Sequence, residues 1–139
     1  MKENITIFIA DDDEDDKKLF IESAKEVNND INCFTASDGQ EALRLLRDER
    51  NPVPDYIFLD LRMPRIGGKK CLEEIRKDKR LLHIPVFIYT TSKDLKDSAE
   101  LKKHGAVHFI SKPANPDDIF YILSVVLEEK WELICSPAR

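Results

Sequence analysis

Apolar and polar positions along the chain follow two different periods. Four runs are continuously apolar and rich in β-branched and aromatic residues: "ITIFIA" (5–10), "YIFLDL" (56–61), "VFIYTT" (86–91) and "VHFIS" (107–111), with "INCFTA" (31–36) a weaker fifth. Unbroken apolarity, rather than alternation, predicts strands buried on both faces, as in a parallel sheet. Between these runs the spacing becomes helical. Phe20, Ala24 and Val27 fall at i, i+4 and i+7, and Ala42, Leu45 and Leu46 form a second stripe that ends at Glu49. Cys71, Leu72 and Ile75 share a face, as do Leu95, Ala99 and Lys102, while Ile119, Ile122, Leu123 and Val126 make the widest stripe.

Punctuation agrees with this segmentation. "SDG" (37–39) is a turn leading into a helix, and "NPVP" (51–54) stops one before the third strand. Gly105 suits a helix C-cap after Lys102, Lys103 and His104, and "NPDD" (115–118) supplies an N-cap, a proline at the first helical position and acids in the first turn. The chain thus repeats β-α five times with short connections and no repeat, linker or low-complexity segment. This predicts one α/β domain over 1–139, with its core at about 5–130. It is a doubly wound, five-stranded parallel sheet with helices on both faces, followed by a short C-terminal tail.

In such folds sites form at the C-terminal ends of the strands. The first strand ends in Asp11 and Asp12, the third in Asp60, the fourth in Thr90 and Thr91, and the fifth in Ser111, Lys112 and Pro113. Three acids, a hydroxyl and a lysine therefore converge on one rim. Two unit charges about 4 Å apart repel by about 4 kcal/mol at an effective dielectric near 20. Gathered carboxylates are thus expected to hold a proton or a cation. All-oxygen ligands with room for water and a phosphoryl group favour Mg2+. Asp60 could then serve as a nucleophile that forms an acyl phosphate, with the lysine and threonine stabilising the phosphoryl oxygens.

Composition narrows the setting. The chain has 42% hydrophobic and 35% charged residues and a formal net charge of -5. That balance argues against a general nucleic-acid or membrane-surface binder. No apolar run is long enough to span a membrane, and no signal-peptide pattern develops before the chain turns acidic, so a cytoplasmic protein is expected. Cys33, Cys71 and Cys135 are widely spaced and read as reduced thiols, two of them facing the core. With His83, His104 and His108 they form no zinc-ligand pattern. Trp131 is expected to pack rather than to bind a partner.

"IADDDEDD", "YIFLDLRMPRIGG", "PVFIYTTS" and "HFISKP" together resemble the receiver domain of two-component response regulators, over nearly the whole chain. The resemblance implies the flavodoxin-like strand order 2-1-3-4-5. It also implies that Asp60 is the phosphorylated aspartate, Asp12 a direct Mg2+ ligand, and Asp11 the holder of the ion's water shell. The backbone carbonyl of Arg62 would complete the protein's share of the coordination. Thr90 is implied as the switch hydroxyl, Lys112 as the conserved-role cation, Pro113 as a cis-proline and Phe109 as the aromatic switch position. Arg62 and Ser92 would flank the hydrolytic water and set the phosphoryl lifetime. Phe109 has no hydroxyl where many members have Tyr, and Gly67 stands where Asp is common.

By the same resemblance the phosphoryl donor is a histidine kinase or histidine phosphotransfer protein. The output is a docking face made by the fourth helix, fifth strand and fifth helix. The short tail, "ELICSPAR", is too little for an output domain, so a stand-alone receiver is expected. No separate enzymatic substrate, nucleic acid or membrane is expected.

Three other readings use the same residues. With Asp11 as position 1, Asp13, Asp15 and Glu22 match the acids of an EF-hand loop, but Asp16 stands where its turn needs Gly, Lys18 where an apolar residue belongs, and a strand precedes the run. A haloacid-dehalogenase-type phosphatase would need a second acid two residues after the nucleophile, where this chain has Arg62. A receiver-like binding module that works without phosphorylation loses ground because the acidic pair, acceptor, Thr and Lys are all present; it would hold if a loop blocked the Mg2+ site, and failure to bind a phosphate analogue would favour it. Of the six consecutive acids, Asp11 and Asp12 are assigned to the site. Asp13, Glu14, Asp15 and Asp16 are assigned to the solvated start of the first helix, where they complement its dipole, with lining of the pocket rim a second reading for Asp13.

Overall fold

The computed structural model describes residues 4–91, 95–106 and 108–129, with the backbone alone described for 95–98. Expectations for Ser92, Trp131, Cys135 and the C-terminal tail fall outside the described residues.

Five strands and five helices alternate: β1 (Thr6–Ala10), α1 (Glu14–Val27), β2 (Asn32–Ala36), α2 (Gly39–Arg47), β3 (Tyr56–Leu59), α3 (Gly68–Ile75), β4 (Val86–Thr90), α4 (Leu95–Lys103), β5 (His108–Ser111) and α5 (Asp117–Leu127). The sheet order is β2-β1-β3-β4-β5, and every pairing is parallel. As the unbroken apolar runs imply, β1, β3 and β4 are buried along their whole length, whereas the edge strand β2 is largely half-buried.

Successive residues of a strand point to opposite faces, which splits the core in two. On one side Phe8, Ile57, Leu59, Val86, Ile88 and Phe109 pack with Ala42 and Leu46 of α2, Leu72 and Ile75 of α3 and Leu101 of α4. On the other, Ile7, Ile9, Phe58, Phe87 and Tyr89 pack with Phe20 and Ala24 of α1 and Ile119, Ile122 and Leu123 of α5. There the Phe58 ring lies 4.9 Å from Phe20 and 5.1 Å from Phe87, within the range of favourable aromatic pairs.

The expected stripes of α1, α2, α3 and α5 face these cores. In α4 the expected face is corrected: Leu101 is buried and Lys102 exposed. Glu49 lies beyond α2, which ends at Arg47. Cys71 is buried and Cys33 half-buried, and burial pushes their thiols up to about 12 and about 11, so neither is a ready nucleophile.

Gly105 follows α4 at a φ of 101°, the left-handed geometry of a C-cap glycine, and its N–H donates to Lys102 O at 3.1 Å. The half-buried Arg76, at the end of α3, donates to Gly105 O from Nη2 at 2.8 Å and Nε at 3.1 Å, and to Leu82 O at 2.9 Å. A Cβ on Gly105 would lie 2.8 Å from Arg76 Nε, so the guanidinium fits only because this residue lacks a side chain.

Candidate functional site

Strand register assembles the site. Ala10 of β1 and Leu59 of β3 are partners, so the next residues, Asp11 and Asp60, leave the sheet side by side, with Asp60 N–H donating to Ala10 O at 2.9 Å. Thr90 and Ser111 are likewise partners, and Lys112 N–H donates to Thr90 O at 2.8 Å. Four residues distant in sequence therefore meet at one end of the sheet.

Asp60 is 7% exposed and Thr90 1%. Asp60 Oδ1 accepts from Thr90 Oγ1 at 2.8 Å and from the Arg62 N–H at 3.2 Å, while Oδ2 accepts from Lys112 Nζ at 2.8 Å. The Arg62 side chain is exposed. Asp11 is fully buried and takes the Asp13 N–H on Oδ1 at 2.9 Å. Its Oδ2 stands 2.6 Å from Lys112 Nζ as an ion pair. That oxygen is buried, and the lysine supplies the positive charge beside it. Burial pushes the Asp11 carboxyl up to about 6, with Lys112 pulling the other way. Burial pulls the Lys112 ammonium down, but the carboxylates of Asp11, Asp16 and Asp60 outweigh it and hold the lysine charged.

Asp12 is exposed, yet one oxygen from each of Asp11, Asp12 and Asp60 can be chosen so that all lie within 4.8 Å of one another. Three carboxylates at this spacing, two of them buried, suit a hard, oxygen-preferring divalent cation such as Mg2+. The donor set fits the ion.

Two glycines hold the loop after β3. A Cβ on Gly68 would lie 2.4 Å from Asp60 O, and one on Gly39 would lie 2.0 Å from Ile66 O, the atom to which Gly39 N–H donates at 3.0 Å. Asp38, whose Oδ1 caps α2 by accepting from Glu41 N–H at 2.8 Å, also pairs with Arg65 of that loop. On the other rim the buried Lys17 donates to Glu14 Oε1 at 2.8 Å and to Ser37 Oγ at 2.7 Å.

The structure thus brings Asp11, Asp12, Asp60, Thr90 and Lys112 together. It leaves Thr91 exposed and places Phe109 in the core, 5% exposed, opposite Ile88 of β4. Two expectations are corrected. Among the described residues no peptide bond is cis, so the bond to Pro113 is trans. An X–Pro bond intrinsically favours trans by about 0.5–1 kcal/mol, and Lys112 reaches its carboxylates from that backbone. Asp16 is not merely a solvated helix-start acid, because its Oδ2 accepts from Lys112 Nζ at 2.8 Å. Asp13 is the N-cap of α1, accepting the Asp16 N–H at 3.1 Å. Sequence reasoning missed Asp16, Gly39 and Gly68. The available signal for Asp16 was its place in the first turn of α1, directly after the strand-end acids.

Comparison with known proteins gives a consistent result. The family model described as "Response regulator receiver domain" matches residues 7–124. The probable C4-dicarboxylate response regulator DctR of Bacillus subtilis is 36% identical over 114 residues, 81% of this chain but 47% of its own length. The chain spans about half or less of the first curated relatives it matches. The response regulator Rcp1 of Synechocystis is 29% identical over 137 residues, 95% of this chain and 92% of that protein. Among solved structures, the phosphorylated cyanobacterial phytochrome response regulator RcpA superposes with a TM-score of 0.83 at 32% identity, covering 93% of this chain and 94% of that one. The Mn2+-bound form of Rcp1 gives 0.80 at 28% identity, covering 96% and 99%.

Proposed function

The chain belongs to the response regulator receiver family, and from that membership we propose that it is a phosphoryl-accepting switch whose acceptor is Asp60. The observation that carries this reading is the pairing of Asp60 with Lys112 and Thr90, 2.8 Å away on either carboxylate oxygen, beside the cluster with Asp11 and Asp12.

The chemistry follows from those contacts. An Asp60 carboxylate oxygen attacks the phosphorus of a phosphohistidine on a histidine kinase or phosphotransfer protein. An O–P bond forms, the N–P bond breaks, and the imidazole leaves with the electron pair. Mg2+ held by Asp11, Asp12, Asp60 and the Arg62 carbonyl would supply charge neutralisation for the incoming phosphoryl group. Support for a metal at this place is the cluster of Asp11, Asp12 and Asp60 oxygens, together with the Mn2+-bound form of the relative Rcp1. The Lys112 ammonium already points at Asp60, so phosphorylation needs only a small redirection of its charge onto the phosphoryl oxygens. Thr90 Oγ1 gives up Asp60 Oδ1 and follows the phosphoryl group. That movement, with Phe109 beside it in the core, biases the face of α4, β5 and α5 toward a downstream protein. Water attack on phosphorus then restores the carboxylate and releases inorganic phosphate, with Arg62 and Ser92 setting the rate.

The test is labelling by acetyl phosphate with Mg2+. Wild type takes up one phosphoryl group and Asp60→Asn takes up none; equal labelling of the two would move the acceptor elsewhere.

A further inference from the structure

Lys112 is held by three carboxylates, and one of them has no part in the phosphoryl chemistry above. Asp16 Oδ2 accepts from Lys112 Nζ at 2.8 Å across 96 residues of sequence. Asp16 lies in the first turn of α1 and is not among the acids whose oxygens cluster for a cation. The lysine side chain is 9% exposed, so this contact is made at the wall of the pocket and not in bulk water.

We propose that Asp16 is a positioning residue for Lys112, the fixed anchor that holds the ammonium in place while its other partners change charge. This rests on Asp60 being the acceptor. An ammonium has three donors and here faces three carboxylates: Asp11 at 2.6 Å, Asp16 at 2.8 Å and Asp60 at 2.8 Å. A cation at the acid cluster claims Asp11, and phosphorylation converts Asp60. Asp16 alone keeps its charge and its contact through both events. One proton stays on Asp16 and two are left for phosphoryl oxygens. Without that anchor nothing holds the flexible four-carbon stem away from Asp11, where the ammonium already stands at 2.6 Å in the space a cation needs.

A simple charge effect has the opposite sign. Removing an acid from a negatively charged pocket should speed the arrival of an anionic phosphodonor. Loss of an anchor should slow the transfer. Asn at this position keeps the size of the side chain and the backbone N–H that Asp13 caps, so the helix start is preserved.

The experiment measures phosphorylation rates with labelled acetyl phosphate and Mg2+ for wild type, Asp16→Asn, Lys112→Met and the double variant. Asp16→Asn is expected to be about five- to tenfold slower, the scale of one partly exposed hydrogen bond to a charged group. In the Lys112→Met background the same substitution should change the rate by less than about twofold, because the effect runs through the lysine. An Asp16→Asn rate equal to or above wild type overturns the proposal, as does an undiminished loss in the Lys112→Met background. Wild type without label would overturn the acceptor reading and this one with it. Labelled wild type with an unslowed Asp16→Asn overturns this one alone.

Discussion

A side chain at Gly68 would collide with the backbone that carries Asp60. Its Cβ would lie 2.4 Å from Asp60 O and 2.9 Å from Leu61 Cα, both main-chain atoms that cannot rotate away. Gly68→Ala is therefore expected to lower stability by about 1–3 kcal/mol, as over-packing does, and to slow Asp60 labelling because the acceptor is displaced. Denaturant unfolding and acetyl phosphate kinetics check the two effects, and an alanine variant with wild-type values of both would remove Gly68 from the site's support. At this scale the charged set was legible in the sequence. Asp11, Asp60, Thr90 and Lys112 each sit at the end of an apolar run, and strand direction is enough to gather them. Gly68 and Asp16 were not. A glycine's role lies in which backbone passes close to it, and Asp16 stands in a row of six acids whose local reading as dipole partners is self-sufficient. Only the fold brings Lys112 across to it.

Helix starts carry a similar division of labour. Asp38 caps α2 and also reaches Arg65, so it joins the second helix to the loop after β3. The Glu41 N–H, then Arg65, hold its carboxyl below the ordinary 3.8. A carboxyl depressed in the folded state stabilises fully above its unfolded value and loses that contribution as pH falls through the folded one. Asp38→Ala should thus lose about 1 kcal/mol near neutral pH, with the gap to wild type closing below about pH 4. Urea melts of both proteins between pH 7 and pH 3 measure this, and a gap that is constant over that range would contradict the ion's role. Elements as such were legible where the apolar pattern was strong: β1, β3 and β4 from unbroken runs buried on both faces, and α5 from its wide apolar stripe. The face of α4 was not. Its residues offer few large apolar side chains, and Leu101 is chosen by the core it meets rather than by any stripe around it.

For the molecule as a whole, a cation at the acid cluster is ligand-linked stability. Binding to the folded state alone raises stability by about 2.7 kcal/mol at a hundred times the dissociation constant. Mg2+ should therefore raise the melting temperature of wild type and not of Asp12→Asn, measured calorimetrically at constant ionic strength. No rise in wild type would remove the metal from the proposed mechanism. The doubly wound topology was legible from β-α alternation, but the trans bond to Pro113 was not, since the same lysine–proline pair is compatible with either isomer. Arg76 adds something at this scale. Its guanidinium ties the carbonyl just past the C-terminal end of α4 to the end of α3 and to the carbonyl of Leu82. One side chain thus works as a rivet through three segments, so that end of α4 cannot be drawn away from α3 without breaking Arg76's hydrogen bonds.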